Sequence, residues 1–239
     1  MALLGMIQKV TDRLGLAQPS SVIGNNNAQI TQLLALANEE GEELASRYCW
    51  SALQISHTFT IALSASQGAV NGTVVTNSDF DYYINDTFWN RTTSLPILGP
   101  TDAVEWQTLQ AFPVTGPYQQ HRFQGKNLYL DPVPTSADTG AFEYYSTHWC
   151  EDSGATGQSS WADDTDVGRL DENLMILGIR WRWKKAKGLD YAQDYDTYEQ
   201  RLNDAMARDG GKRILNLESR NRDYRQAGVV IPIGSWTPT

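Results

Sequence analysis

The chain has few of the features that mark disulfide-rich or membrane-spanning proteins. Among its 239 residues there are only two cysteines, Cys49 and Cys150, and their distance in sequence implies no disulfide framework. No apolar run approaches the roughly 18–20 residues of a membrane helix. Lys9 lies inside the first apolar stretch rather than before it, which is not the pattern of a signal peptide. We therefore expect a soluble protein, either intracellular or part of a virion.

Positive charge is also scarce. Lys and Arg number 19 against 28 Asp and Glu, so the net charge is −9. This balance argues against a protein whose whole surface binds nucleic acid, but it allows a channel through which nucleic acid passes. The composition, 41% hydrophobic and 20% charged, is that of a globular protein with one large domain or two modest ones. Eight Trp and eleven Tyr favour extended contact surfaces or a sugar-binding surface.

Nucleotide and metal motifs are missing. There is no GxGxxG or Walker pattern. The acidic run Asp163, Asp164 and Asp166 suggests calcium, but counting from Asp164 puts neither Gly at position six nor Glu at position twelve. We interpret these acids as capping and helix-dipole residues. His148 and Cys150 share one face of a strand, yet no CxxC or HxxxH completes a zinc site. We expect no metal and no cofactor.

Catalytic residues are equally hard to find. His57 and His121 are isolated, and spacing alone builds no catalytic triad from them. Glu105, next to Trp106, and Glu143, next to two tyrosines, could form the carboxylate pair of a glycosidase. Their ordinary interpretation is as flanking charges on a half-buried β surface. We expect a protein without enzymatic activity, with a carbohydrate-binding or glycoside-hydrolysing module as the alternative.

Residues 165–211 give the clearest pattern, that of two consecutive helices. Apolar side chains recur at helical spacing in both, which predicts a shared core face. The predicted core residues are Leu170, Leu174, Leu177, Trp181, Tyr191, Tyr195, Tyr198 and Leu202. Trp183 lies about 200° around the helix from Trp181, so it needs a different partner. We expect Trp183 to make a packing or a subunit contact. A nucleic-acid or membrane patch is less favoured, because the surrounding basic residues cluster where the helix dipole already favours them.

The pattern along the chain predicts an α+β fold with a body of about four helices and an inserted β-rich subdomain. The predicted divisions are N-terminal helices over 1–54, the β-rich subdomain over 55–162, a helix pair over 163–211 and an extended basic C-terminal arm over 212–239. Within the first division, the helices are expected over 3–16 and about 28–53, with Gly41 costing the second about 1 kcal/mol relative to Ala. The arm carries Lys212, Arg213, Arg220, Arg222 and Arg225 against Glu218 and Asp223.

Over most of its length the chain resembles the head-to-tail adaptor proteins of tailed bacteriophages, also called connector or head-completion proteins. The resemblance rests on an ordered series of motifs: LGP…EW within 89–111, LYLDPVP and AFEY within 123–150, and LGIRWRWKKAKGLDY within 161–215. These motifs are structural patterns and not catalytic signatures.

The resemblance implies a structural protein of the virion, made in the bacterial cytoplasm. It implies a homo-oligomeric ring, commonly of twelve subunits, beneath the portal protein at the head–tail junction. Such a ring extends the channel for genomic DNA and provides the platform for a tail or nozzle protein. The acidic chain would then line a channel that does not hold DNA, Trp183 and Arg182 would contact a neighbouring subunit, and the basic arm would dock on the portal.

Overall fold

The computed structural model describes residues 2–112, 116 and 118–209. Two helices come first, α1 (Leu3–Leu14) and α2 (Ala28–Arg47), followed by a 3₁₀ turn at Ser51–Leu53. The middle of the chain is mostly strands: β1 (Gln54–Thr60), β2 (Ser66–Ala69), β3 (Phe80–Tyr83), β4 (Trp89–Asn90), β5 (Leu95–Pro96), helix α3 (Ala103–Ala111), β6 (Gln120–Gln124), β7 (Asn127–Asp131), β8 (Thr139–Ser146), β9 (Cys150–Glu151), β10 (Gly157–Gln158) and β11 (Val167–Gly168). Two helices follow, α4 (Glu172–Ala186) and α5 (Ala192–Arg208). The fold is therefore α+β.

The strands form three antiparallel sheets. The largest has the order β1-β8-β4-β5, with β3 also pairing with β8. A second has the order β2-β7-β6, and a small third sheet has the order β10-β9-β11. The prolines of the LGP and LYLDPVP motifs, Pro100 and Pro132, both follow cis peptide bonds. None of the helices in the described ranges is both long and apolar enough to cross a membrane.

Two hydrophobic cores divide the described residues. One core joins the helices, with α1, α2 and α5 each packed on α4. The other fills the space between the two larger sheets and is rich in aromatic side chains. Trp149, Cys150 and Trp161 belong to the helical core, although the sequence pattern assigns them to the β-rich insertion. Their strands, β9–β11, return the chain to the helices before α4 begins.

The first two helices end earlier than the hydrophobic pattern predicts. Gly15 takes a left-handed conformation (φ 68°), and the Leu16 N–H donates back to the Thr11 carbonyl, which closes α1 at Leu14. At the end of α2 the indole Nε1 of Trp50 donates to the Leu44 carbonyl at 2.6 Å. That bond satisfies a carbonyl left open at the helix end, so the chain turns into β1 instead of continuing helical to residue 53.

The acidic run before α4 does not cap that helix. Asp171 is the N-cap, and its carboxylate accepts from the Leu174 N–H at 3.0 Å. Asp164 instead accepts from the backbone N–H groups of Val22 and Ile23, at 2.9 and 2.8 Å. The backbone of the same segment accepts from the first N–H groups of α1. Our interpretation of these acids as capping and helix-dipole residues of α4 is therefore wrong. The Asp164 carboxylate joins the segment before α4 to the α1–α2 connection, whereas the Asp163 and Asp166 carboxylates accept from N–H groups of the segment itself.

Candidate functional site

The α4–α5 pair buries most of the side chains that the helical pattern places in a core. The buried residues of the predicted set are Leu170, Leu174, Trp181, Tyr198 and Leu202. Leu177 is half-buried and packs against them. Tyr191 and Tyr195 are 38% and 37% exposed, so they are not core residues. The centres of their rings lie 6.3 and 5.1 Å from the centre of the Trp181 ring. Each covers an edge of that indole and leaves its own outer side to solvent.

Trp183 and Arg182 lie inside the subunit. Their exposed fractions are 8% and 7%, which leaves little surface for a neighbouring subunit. Trp183 joins the same helical core as Trp181, with Lys187 over its ring at 5.5 Å. The expected second face of α4 does need a partner, but that partner is another part of the same chain. The sequence cannot distinguish these cases, because a helix surrounded by other helices has the same pattern as one at an interface.

Arg182 is bound by three carboxylates of α2. Its Nε donates to Glu40 at 2.7 Å, and its two terminal nitrogens pair with Glu39 and Glu43. Glu40 is fully buried, and burial raises its pKa to about 7 although Arg182 and the nearby Tyr198 hydroxyl lower it. We did not single out Glu39, Glu40 and Glu43 in the sequence. The sequence does carry a signal for Glu40, which occupies a position of the apolar stripe of α2 where an apolar residue is expected.

A groove of about 770 Å³ lies at the open end of the α4–α5 hairpin. Its apolar lining comes from Trp50, Ala205 and three leucines of the α4 region, Leu170, Leu174 and Leu177. Its charged lining consists of Arg13, Arg169, Arg201, Arg208, Asp171, Asp204 and Asp209. The arginines outnumber the acids, four to three, in a chain whose net charge is −9. The groove therefore has an apolar floor and charges of both signs along its rim.

Two of the three acids of this groove accept hydrogen bonds from backbone N–H groups, which leaves their charge in place. The Asp171 carboxylate caps α4, and Asp209 accepts from the Ser51 N–H at 2.7 Å. Arg169 pairs with Glu151 at 3.2 Å. Arg13, Arg201 and Arg208 make no ion pair with any other residue that the structure describes. Three guanidinium groups thus remain available at the rim.

The histidines and cysteines form no metal site. His121 has no exposed surface, and burial lowers its pKa to about 4, so it is a neutral core residue between Tyr83 and Phe88. Burial raises the pKa of the Cys150 thiol to about 12. Within the described ranges no cluster of three or more His, Cys, Asp or Glu side chains is suited to hold a metal ion.

The carbohydrate alternative requires exposed tryptophans, which the described residues do not provide. Trp106, beside Glu105, is 8% exposed and packs on Tyr129. Six of the seven described tryptophans are buried and Trp89 is half-buried. The Glu143 carboxylate accepts from the Gln54 side chain within the β1–β8 sheet. Within the described residues no exposed tryptophan accompanies either glutamate.

The basic arm predicted over 212–239, with Lys212, Arg213, Arg220, Arg222 and Arg225, lies outside the described residues.

Comparison with known families decides the class of protein. The family model described as SU10 adaptor protein matches residues 1–230. The chain belongs to this family. The resemblance to tailed-phage head-to-tail adaptors is thereby confirmed. No curated protein sequence gave a match to the chain.

Membership of the SU10 adaptor family fixes the general role. The chain is a structural component of a phage virion, and as an adaptor it assembles with other head and tail proteins. In an adaptor of this kind the surfaces that matter are those left open for partners. Among the described residues these include the groove at the open end of the α4–α5 hairpin and the exposed apolar side chains of the β-rich part and of residues 189–195.

Proposed function

We propose that this adaptor forms a ring of twelve subunits beneath the portal protein at the head–tail junction. The ring extends the channel for genomic DNA and provides the attachment platform for a downstream tail or nozzle protein. The observation that carries the proposal is the family match over residues 1–230. The net charge of −9 supports it, since an acidic ring repels DNA phosphates and lets the genome slide.

The basic C-terminal segment is proposed to bind the portal. Between residues 212 and 239 it has five basic and two acidic residues, a net charge of +3 on an otherwise acidic chain. The charge of such a segment suits an acidic docking surface on the portal.

The test is a pull-down of the full-length chain with purified portal rings, followed by electron microscopy of the complex. We expect a ring of adaptor density on one face of the portal. Replacing Lys212, Arg213, Arg220, Arg222 and Arg225 by serine should abolish capture, whereas Arg91→Ser, at an exposed site in the β-rich part, should not. Equal capture of both variants would refute the role of the arm, and failure of the wild-type chain to bind portals would refute the proposed function.

A further inference from the structure

The described part of the chain ends in the wall of the groove at the open end of the α4–α5 hairpin. Asp209, its last residue, lines the groove together with Arg208 and Ala205 of α5. The Asp209 carboxylate accepts from the Ser51 N–H at 2.7 Å and from the Ser51 hydroxyl at 2.5 Å, which fixes the end of α5 against the 3₁₀ turn. Residues 210–239 therefore start from a fixed point at the groove.

The floor of this groove is apolar and is not filled by the described residues. Trp50, Leu170, Leu174 and Leu177 line it, and Leu177 is only half-buried. The volume of about 770 Å³ has room for several side chains at once. Because apolar surface gains stability when it is removed from water, this floor favours an occupant that brings apolar side chains.

The residues directly after Asp209 have the matching composition. A pair of glycines comes first, and glycine enters a tight turn at no steric cost. The next apolar residues are Ile214, Leu215 and Leu217. Ile214 lies five residues beyond Asp209, and five extended residues span up to about 17 Å. Since Asp209 itself lines the groove, this length is enough to bring segment 212–218 over the floor.

We propose that segment 212–218 docks in the groove of its own subunit, with its three apolar side chains against the floor. Charge does not select this occupant, because the rim carries both signs and so does the segment, with two basic residues before its apolar ones and one acidic residue after them. Attachment selects it. A segment tethered at the wall of its site has an effective concentration in the millimolar range, far above that of a separate chain.

This contact is independent of the ring and of the portal, so it holds in the free protein. It anchors the root of the C-terminal arm on the helical body. The basic residues from Arg220 onward lie beyond the docked segment and are left for the portal.

An intrachain disulfide in the full-length chain tests the docking. Cys49, which is exposed, is first replaced by serine, and the test pair is Asn173→Cys in the groove with Asn216→Cys in the segment. The control pair joins Asn216→Cys to Asn203→Cys. Asn203 is exposed on α5, is not part of the groove lining and is closer to Asn216 in the sequence. Without docking the control pair would link at least as fast, since a longer loop costs more entropy to close.

The rates of disulfide formation are measured under mild oxidation in dilute solution by mass spectrometry of peptides. We expect the test pair to link within one chain at least about tenfold faster than the control pair, because docking holds the segment in the groove. Replacing the three apolar residues of segment 212–218 by serine should remove this advantage. The same replacement at Val229, Val230 and Ile231, three apolar residues farther along the arm, should preserve it.

Equal rates for the two pairs, or a disulfide that forms only between two chains, would overturn docking within the subunit. A rate advantage that survives the serine replacement in segment 212–218 would overturn the apolar contact. None of these results affects capture by portal rings, which tests the proposed function separately.

Discussion

Arg182 is the residue at which α2 and α4 are fixed to each other. Its guanidinium pairs with Glu39, Glu40 and Glu43, and the Tyr198 hydroxyl of α5 adjoins the same buried carboxylate. The carboxylate reaches Arg182 because Gly178 leaves room for it on α4. A Cβ at Gly178 would lie 2.0 Å from the carboxyl carbon of Glu40. Gly41, the residue after Glu40 on α2, leaves room for the Trp149 ring, because a Cβ there would lie 2.5 Å from that ring.

Gly178→Ala should therefore destabilise the protein although alanine is the better helix former. The propensity gain of about 1 kcal/mol is outweighed by the displacement of Glu40 from Arg182 in a packed interior. We expect the free energy of unfolding in urea to fall by about 1–3 kcal/mol. Asn173→Ala, at an exposed position of the same helix, should leave it unchanged or slightly raised. An unchanged or more stable Gly178→Ala variant would contradict this account.

Glu40 should make stability depend on pH. Burial raises its pKa from 4.5 to about 7, so the folded state holds a proton that the unfolded state releases. The stabilisation linked to this proton is fully present below about pH 4.5 and is lost as the pH rises through about 7. The free energy of unfolding changes by about 3 kcal/mol over this range. As the pH rises across this range, the unfolding free energy of the wild type should therefore fall relative to that of Glu40→Gln. The exposed Glu42→Gln variant should track the wild type, and a flat difference for Glu40→Gln would rule out the titration.

At the scale of elements, periodicity predicts what a helix buries but not where it begins or what covers it. The stripe through Leu170, Leu174 and Trp181 is buried as the sequence indicates. The start of α4 at Glu172 was not predictable, since the acids upstream look like a helix N-terminus, whereas one of them, Asp164, bonds to residues more than 140 positions away. For the same reason the partner of Trp183 could not be identified. A tertiary contact across the chain leaves no local pattern.

The segment from 162 to 168 connects α1 to the start of the α4–α5 pair. The Leu3 N–H donates to the Asp166 carbonyl at 2.9 Å, and Ala2 bridges Val167. Together with the bonds from Asp164 to the α1–α2 connection, these contacts satisfy backbone groups that a short loop would otherwise leave open. The acidic run therefore has a structural use that requires no ion.

Asp164→Ala should destabilise the protein through this connection. It removes the acceptor of two backbone N–H groups, and charge-assisted bonds of this kind contribute about 1.5–3 kcal/mol each when buried. Because Val22 is buried and Ile23 half-buried, we expect a loss of about 2 kcal/mol in chemical denaturation. Asp163→Ala is the matched control, since the Asp163 carboxylate accepts only from the N–H and hydroxyl of nearby Thr165 among the described residues. Equal losses in the two variants would show that Asp164 has no special role.

In the whole molecule, the side chains that stabilise the fold lie in the two cores, and those available for assembly lie on the surface. Trp181, Trp183 and Arg182 are used inside the helical core, so the surfaces available for partners are formed by other residues, among them the exposed apolar side chains and the groove rim. The sequence indicated an assembled protein through its aromatic helices, and the family match confirms the adaptor class. The residues expected at a subunit contact are nevertheless internal, because aromatic content marks burial without saying by which chain.

The charge of the whole molecule leads to a prediction about DNA. A chain with a net charge of −9 has a long-range field that opposes phosphates, and the three free arginines of the groove are too few to reverse it. Full-length protein should therefore show no binding to duplex DNA by fluorescence anisotropy at physiological salt. Lowering the salt should strengthen the repulsion, as screening by counterions falls. The variant with Arg13→Glu and Arg201→Glu, four units more negative at the groove, should behave identically. Salt-sensitive binding by the wild type that this variant loses would mean that the groove holds DNA, and would refute the repulsion of DNA by the acidic chain.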